Sequence, residues 1–521
     1  MKKLHFLLIA FCLHSVCANA FSGSGSGTEA NPYQICTAAQ LDEIRYNLSA
    51  HYKLMNDIDL TEYLSEGNPG YNYGRGWMPI ATNDNYFTGK LNGMNNIDLH
   101  DFIQENGVGT QVSDVYVMNW LPIGTTAKPF TGTLKGNGYN ITGIYAYYDY
   151  SDYGDANLGL FGYAEGATFS NINIQINRLV GRYRYNVGGL AGYCKASTIS
   201  ECSVTGTRFL TTQNYYDPSN VGGLIGYCEN STITKCSSYY SEWTYAMGDY
   251  SNIGGLVGYS KNSAINQSYA SPIVVRAYYS NSATGGLVGK NENSTIDKCY
   301  ATAFVTTTNT SGGLVGINNG GTITDSYYNI EKSNQSDTGK GTGVTTAQMN
   351  DINTYSSWDF TSVWKMPQAC GTPLFQWQIE PFESGCGTEE NPYLIAIPEG
   401  LDAVRNHLLD TIIYHYKLTN DIDLSDYLQK GSLGYNRGSG WQKIGGGEIG
   451  LFRGNFDGNG HKISGVWVMN TNDYNVGFFG DIYKSVIKNL EIEIAPDKSI
   501  VINKKTKEKS ASSIRKVIKV A

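Results

Sequence analysis

An all-β fold of stacked parallel coils, a β-solenoid, is predicted for this 521-residue sequence by three observations. A five-residue phrase returns as Gly188-Gly189-Leu190-Ala191-Gly192 and Gly222-Gly223-Leu224-Ile225-Gly226, then in the same form from Gly254, Gly285 and Gly312, with a looser copy at Leu158 to Gly162. The strict copies begin 34, 32, 31 and 27 residues apart, a period near thirty that marks stacked supersecondary units. Each copy leads to a similar tail, such as Ser197-Thr198-Ile199 or Ser231-Thr232-Ile233. Between copies lie β-branched, aromatic and small polar residues with no apolar run at helical spacing, which excludes a helical repeat.

Stacking places equivalent residues of successive units one strand spacing apart, about 4.8 Å. Columns of like residues follow. Ile199, Ile233, Ile265, Ile296 and Ile323 form one, read as interior; Cys202, Cys236, Ser268, Cys299 and Ser326 form another, small and inward. The paired glycines are expected where the chain turns with positive φ or where a neighbouring coil comes too close for a Cβ.

The phrase and its tail resemble the GLUG motif of exported, cell-surface proteins of bacteria, many of them Bacteroidetes. The resemblance covers roughly residues 27–380 well and 387–490 in part. It implies a right-handed parallel β-helix and, for some members, a role as adhesins. The motif also occurs in accessory regions of certain immunoglobulin-A-specific metallopeptidases.

The elements follow in chain order. Residues 1–20 read as a secretory signal: Lys2 and Lys3, an apolar core from Leu4 to Leu13, and the small-x-small site Ala18-Asn19-Ala20. That core is too short to span a bilayer, and no other stretch is long and apolar enough to do so. Residues 21–26 are a Gly/Ser linker. The first module, 27–385, opens at Gly27-Thr28-Glu29-Ala30-Asn31-Pro32-Tyr33 and a short helix, with Thr37 and Gln40 in capping-box spacing and Leu41, Ile44 and Leu48 on one face. A stack of coils needs its open edge covered, so this helix is the expected N-terminal lid. Early coils carry a Trp-x-Pro-Ile pattern, Trp77 to Ile80 and Trp120 to Ile123. At the far end, Thr345 to Met349 predicts a short helix, with Trp358, Trp364 and Phe375 supplying the apolar closure.

At Gly387 the text begins again. A second module, 386–502, repeats the opening, places Pro398 at the start of a second lid, and copies residues 51–60 as His415 to Leu424. It holds one GLUG-like turn, Val476 to Gly480, and is expected to be truncated. Residues 503–521, rich in lysine, are expected to be a disordered tail.

Composition narrows the function. Gly 61, Tyr 40, Pro 13 and 16% charged residues suit an extracellular β-rich chain, and a formal charge of −8 argues against nucleic acid or an anionic membrane as partner. No His-Glu-x-x-His is present, so the metallopeptidase chemistry does not carry over. Thr338 to Thr342 lacks the upstream glycine of a phosphate loop. Asp57 with Asp59, repeated as Asp421 with Asp423, is too small a set for a metal and reads as a hydrogen-bonded turn. No cofactor and no metal are expected. Polysaccharide lyases on β-helices need an acidic cluster with a basic residue, and the coils here offer mainly Asn, Ser, Thr and Tyr.

Tyrosine is the functional lead. Tyr183 and Tyr185, Tyr215 and Tyr216, Tyr245 and Tyr250, and Tyr278 and Tyr279 all precede a Gly-Gly closely, so stacking aligns them along one edge. A tyrosine offers a flat apolar face and a polar tip, suited to sugar rings or a protein surface. The competing reading is a ladder of rings that packs only against itself. The sequence therefore predicts an exported chain that is not an enzyme and binds a glycan or an extracellular protein. The alternatives are a polysaccharide-active β-helix enzyme or an accessory domain of one, and a structural spacer. Cys370 and Cys386 flank the module junction and are placed to clasp it, while the stacked cysteines read first as a small-residue ladder.

Overall fold

The computed structural model describes residues 21–520 apart from 66–67, 69, 71–119, 121, 149–156, 182–185, 207–209, 213–217, 241–242, 273, 279–280, 307–309, 337, 409–411, 431, 433, 436–438, 447–449, 471–476, 497–499 and 503–516. The signal segment, the coil at Trp77 and most of the basic tail therefore lie outside the described residues.

Each unit lays short strands on successive faces of a coil, and like strands of neighbouring units pair in parallel. One nine-stranded sheet runs from Tyr33–Ile35 and His51–Leu54 through Thr133–Lys135 to Thr322–Thr324. Within it Ile199, Ile233, Ile265, Ile296 and Ile323 are direct register partners, and the first four are fully buried. This is the predicted interior column, and with its fellow columns it defines a parallel β-helix. The Cys/Ser column is also inward and has a further task. Cys236 N–H donates to Ser268 Oγ at 3.1 Å, and Cys299 N–H donates to Ser326 Oγ at 3.0 Å. At bends where no strand partner exists, small side chains thus satisfy buried backbone donors of the preceding coil. A third column is an amide ladder: Asn186, Asn220 and Asn252 each donate through Nδ2 to the preceding Asn Oδ1, beginning at Asn157, at 2.7–2.8 Å.

The glycine phrase works by close approach, not by positive φ. A Cβ on Gly255 would stand 2.1 Å from the Gly286 carbonyl oxygen, and one on Gly286 would stand 2.2 Å from that of Gly313. Left-handed φ falls elsewhere, at two bends per unit: Ala196 with Glu201, Asn230 with Lys235, Asn262 with Gln267, Asn293 with Lys298. The stacked thiols Cys194, Cys202, Cys228, Cys236 and Cys299 are buried and outside any disulfide, and burial pushes Cys228 up to about 11 and Cys299 up to about 12. They are inert filler.

The first stack carries a short helix at one end and an aromatic cluster at the other. The lid is Ala38–Asp42 followed by a 3₁₀ turn, Glu43–Tyr46; Thr37 Oγ1 caps Gln40 N–H, and Leu41 and Ile44 are buried. At the far end, Thr346–Met349 has a full capping box from Thr345 and Gln348. Trp358, Trp364 and Phe375 pack there against the stacked rings of Tyr269 and Tyr300. A Cys370–Cys386 disulfide joins this closure to the second module.

The second module has its own core and two four-stranded sheets, one of them Tyr393–Ile395, His415–Leu418, Asn455–Asp457 and Ile487–Lys488. Pro398 is the first residue of its lid helix, Pro398–Ala403. Two expectations change. Residues 21–26 are folded onto the first lid instead of forming a free linker: the Phe21 ring lies 4.5 Å from Tyr33, and Ser24 accepts a backbone hydrogen bond from Gln34. In the tail expected to be disordered, Val517–Val520 pairs antiparallel with Leu490–Ile494, because three β-branched residues complete an otherwise open sheet edge.

Candidate ligand-binding surface

The predicted aromatic edge is seen in part. Tyr183, Tyr185, Tyr215, Tyr216 and Tyr279 lie outside the described residues. Tyr245 and Tyr278, on adjacent coils, meet edge to face at 5.5 Å, and the Arg276 guanidinium lies over the Tyr278 ring at 4.3 Å. Both tyrosines are half-buried. Tyr250 occupies a bend at φ 56° and is 64% exposed. The structure thus brings Tyr245 and Tyr278 together and leaves Tyr250 open to solvent.

A second aromatic row escaped the sequence reading. Tyr163, Tyr193, Tyr227 and Tyr259 are register partners along the sheet Phe161–Glu165, Ala191–Lys195, Ile225–Glu229 and Val257–Lys261, with ring centroids 4.5–4.7 Å apart. Each follows the last glycine of the phrase directly, and that fixed place was the available signal. Period-two alternation turns Cys194 inward and Tyr193 and Lys195 outward. Beside the rings runs a column of alternating charge, Glu165, Lys195, Glu229, Lys261 and Glu292. Tyr193 donates to Glu229 at 2.5 Å and Tyr259 to Glu292 at 2.7 Å. Burial first, then these bonds, hold both phenols well above their ordinary range. Tyr163 and Tyr193 stack, Tyr193 and Tyr227 meet edge to face, and the hydroxyls of Tyr193 and Tyr259 are engaged, so this row packs largely against itself. Of the predicted edge, Tyr245 and Tyr278 are likewise engaged with each other and with Arg276, and Tyr250 keeps most of its surface open to solvent.

The other predicted signs resolve as structure. Asp57 accepts the Asn140 N–H and Asp59 the Thr61 N–H; Asp421 and Asp423 accept from Lys462 and Ser425 in the same way. The Asp59 and Asp423 bonds close local turns, while those of Asp57 and Asp421 tie one coil to another; among the described residues no group of three or more His, Cys, Asp or Glu could hold a metal. Lys340, in the glycine-flanked segment, donates to the Ser311 carbonyl at 3.0 Å. Among the described residues no helix is long and apolar enough to cross a membrane.

Strand pairing and stacked columns make this a parallel β-helix protein of the repeat type. Residues 280–308 match the GLUG motif, so the chain carries that motif. A 112-residue stretch, 21% of this chain, is 40% identical to a protein of Evansella cellulosilytica provisionally named a Gly-rich membrane protein; it spans 12% of that relative's length. Two solved structures resemble the fold. One, provisionally named an immunoglobulin A1 protease from Bacteroides ovatus, is 18% identical with a TM-score of 0.44, covering 68% of this chain and 95% of that one. The other, named IgA1 protease, is 17% identical with a TM-score of 0.39, covering 60% and 21%. The expectation that the chain is not an enzyme is corrected on this point: both neighbours carry a protease name, and the exclusion does not stand. At these scores the likeness assigns no reaction and no catalytic residue to this chain.

Proposed function

We propose that the chain is exported and serves at the bacterial surface as a binding, adhesion-type protein for an extracellular glycan or protein. The leader-like residues 1–20, the GLUG repeats, and the relative named as a membrane protein all support a place outside the cytoplasm. The division into modules 27–385 and 386–502 belongs to the same proposal. The observation that carries the binding role is the aromatic edge: Tyr245 and Tyr278 meet across adjacent coils, and Tyr250, on the same unit as Tyr245, is 64% exposed. A row of rings held at fixed steps by a rigid stack is preorganised, so an extended ligand meets several shallow contacts without ordering loops. Spread over printed glycans and matrix proteins, the chain should mark a defined subset. Tyr245→Ala with Tyr278→Ala should reduce that signal by about tenfold, a loss of ~1.4 kcal/mol, while thermal unfolding is unchanged. An array signal the double variant leaves intact discards the edge as the binding site.

A further inference from the structure

Where the two modules meet, a cavity of about 310 Å³ opens between the end of the first stack and the lid of the second. Its walls are aromatic. On one side Phe382 stacks on Tyr393 at 4.4 Å, and His407 stacks on Tyr414 at 4.3 Å. On the other, the rings of Tyr269 and Tyr300 lie parallel at 4.7 Å. The hydroxyls of that pair are engaged by Gln378 and by the Pro373 carbonyl, and Tyr239 spans the junction to donate to Asn406 Oδ1. Pro272, Pro367 and Pro381 add flat apolar surface to the lining.

The polarity left open among these rings is amide. Asn350 ends the helix Thr346–Met349: its backbone N–H donates to the Thr346 carbonyl, while its side chain has no hydrogen-bond partner among the described residues. Asn406 accepts from Tyr239 through Oδ1, and its Nδ2 has no partner among the described residues either. Both side chains are half-buried and line the cavity. Amides so enclosed ordinarily find a partner, and here the space before them is the cavity itself. No Asp or Glu is among the lining residues. Lys332, which also lines the cavity, is already engaged within the protein, and burial keeps His407 neutral at pH 7. Aromatic walls accept the apolar face of a pyranose, and a side-chain amide meets a pair of vicinal hydroxyls with a donor and an acceptor at once. A ligand of that kind needs no counter-ion. A cavity at the small end of ligand sites suits one or two sugar rings and not a polymer.

We propose that this intermodule cavity binds a neutral pyranoside of one or two rings, its vicinal hydroxyls on the Asn350 and Asn406 amides and its apolar face toward the aromatic wall. The site is separate from the aromatic edge and does not depend on it. Calorimetry and ligand-observed NMR on the full chain at pH 7 use methyl β-glucoside, methyl β-galactoside, methyl α-mannoside, glucuronate and sorbitol, the last carrying the hydroxyls without the ring. At least one of the three glycosides should bind saturably, sorbitol should not, and glucuronate should bind no more tightly than the glucoside. Asn350→Ala should weaken the bound glycoside by about tenfold without changing the melting curve. Asn350→Asp, which keeps the shape and gives up the N–H donors, should weaken it as well. Tyr245→Ala with Tyr278→Ala should leave these titrations unchanged, so the edge and the cavity fail or stand separately. Absence of saturable binding by all three glycosides, equal binding of sorbitol, tighter binding of glucuronate, or an Asn350 variant that titrates like the parent would overturn the assignment.

Discussion

The first lid and the second are the same device in two settings. In the first, Arg45 lies over the Trp120 ring at 5.1 Å, donates to the Pro122 carbonyl and pairs with Asp42. In the second, Arg405 lies over Trp441 at 4.7 Å, donates to the Gln442 carbonyl and pairs with Asp402. Trp120 and Trp441 donate their indole N–H to the carbonyls of Leu160 and Phe478, each in the following coil. One residue further along the lid, the copies part. Tyr46 is 59% exposed, whereas its counterpart Asn406 is bonded to Tyr239 of the first module. Asn47 gives way to His407, which stacks on Tyr414 and shares a hydrogen bond with Tyr416. Arg405 is 5% exposed, and burial lowers it to about 10. The repeated residues fix what each lid does to its own stack; the changed ones answer to what lies above it.

If the Arg–Trp clasp closes each module separately, breaking it should be a large and local event. Trp120→Ala and Trp441→Ala each remove a fully enclosed ring, a cation–π partner and a buried donor, at a cost of about 3–5 kcal/mol. Hydrogen exchange read by mass spectrometry should show Trp120→Ala loosening 133–170 while 455–494 stays protected, and Trp441→Ala the reverse. Loss spread evenly over both modules in either variant would mean that the two lids belong to one cooperative unit.

Much of this comparison was readable from the chain because the repeat writes it twice. The stacked isoleucines, the lid helices and the aromatic closure each follow from local pattern: apolar spacing, a Thr–Gln cap, a proline at the first helical position. The row from Tyr163 to Tyr259 was equally regular in the text and still missed. Whether the residue after Leu-x-Gly faces in or out depends on the phase of a five-residue strand, and the two flanking glycines hide that phase. The cavity had no such signal. Tyr239, Lys332 and His407 belong to no column in common, and only the long-range docking of one module on the other brings them together.

The His407 substitution sharpens the comparison at intermediate size. Its folded pKa, about 3, lies below the ordinary 6.5, with burial and then the Lys332 ammonium as causes; Tyr393, Tyr414 and Tyr416 are the other titratable groups against it. A histidine kept neutral by folding contributes stability above its unfolded pKa and loses it as pH falls from 6.5 towards 3, because the unfolded chain takes up the proton first. Between pH 7 and pH 5 this amounts to about 2 kcal/mol. His407→Asn, which installs the residue found at that place in the first lid, should flatten the acid limb of denaturant stability measured across that range. An unchanged acid limb would show that the second lid opens to water before the imidazole is protonated.

The smallest difference lies in the caps, and it can be exchanged between copies. Thr37 and Ile397 hold nearly the same backbone, φ −136° and ψ 159° against φ −135° and ψ 158°, yet only Thr37 has a side chain that caps, accepting from Gln40 N–H. Proline at position 398 offsets part of that lack, since its ring presets the first helical φ and removes one donor that would need a partner. Thr37→Ala should cost the first lid about 1 kcal/mol. Ile397→Thr should add less than about 1 kcal/mol to the second, because Gly400 N–H already donates to the Ile397 carbonyl and the half-buried isoleucine gives up apolar burial. Exchange rates of the amides in 38–46 and 399–407 read both effects directly. Should Ile397→Thr speed exchange in the second lid, the matching dihedrals would not make the two caps interchangeable, and the second lid would owe its place to packing against the first module instead of to its own N-terminus.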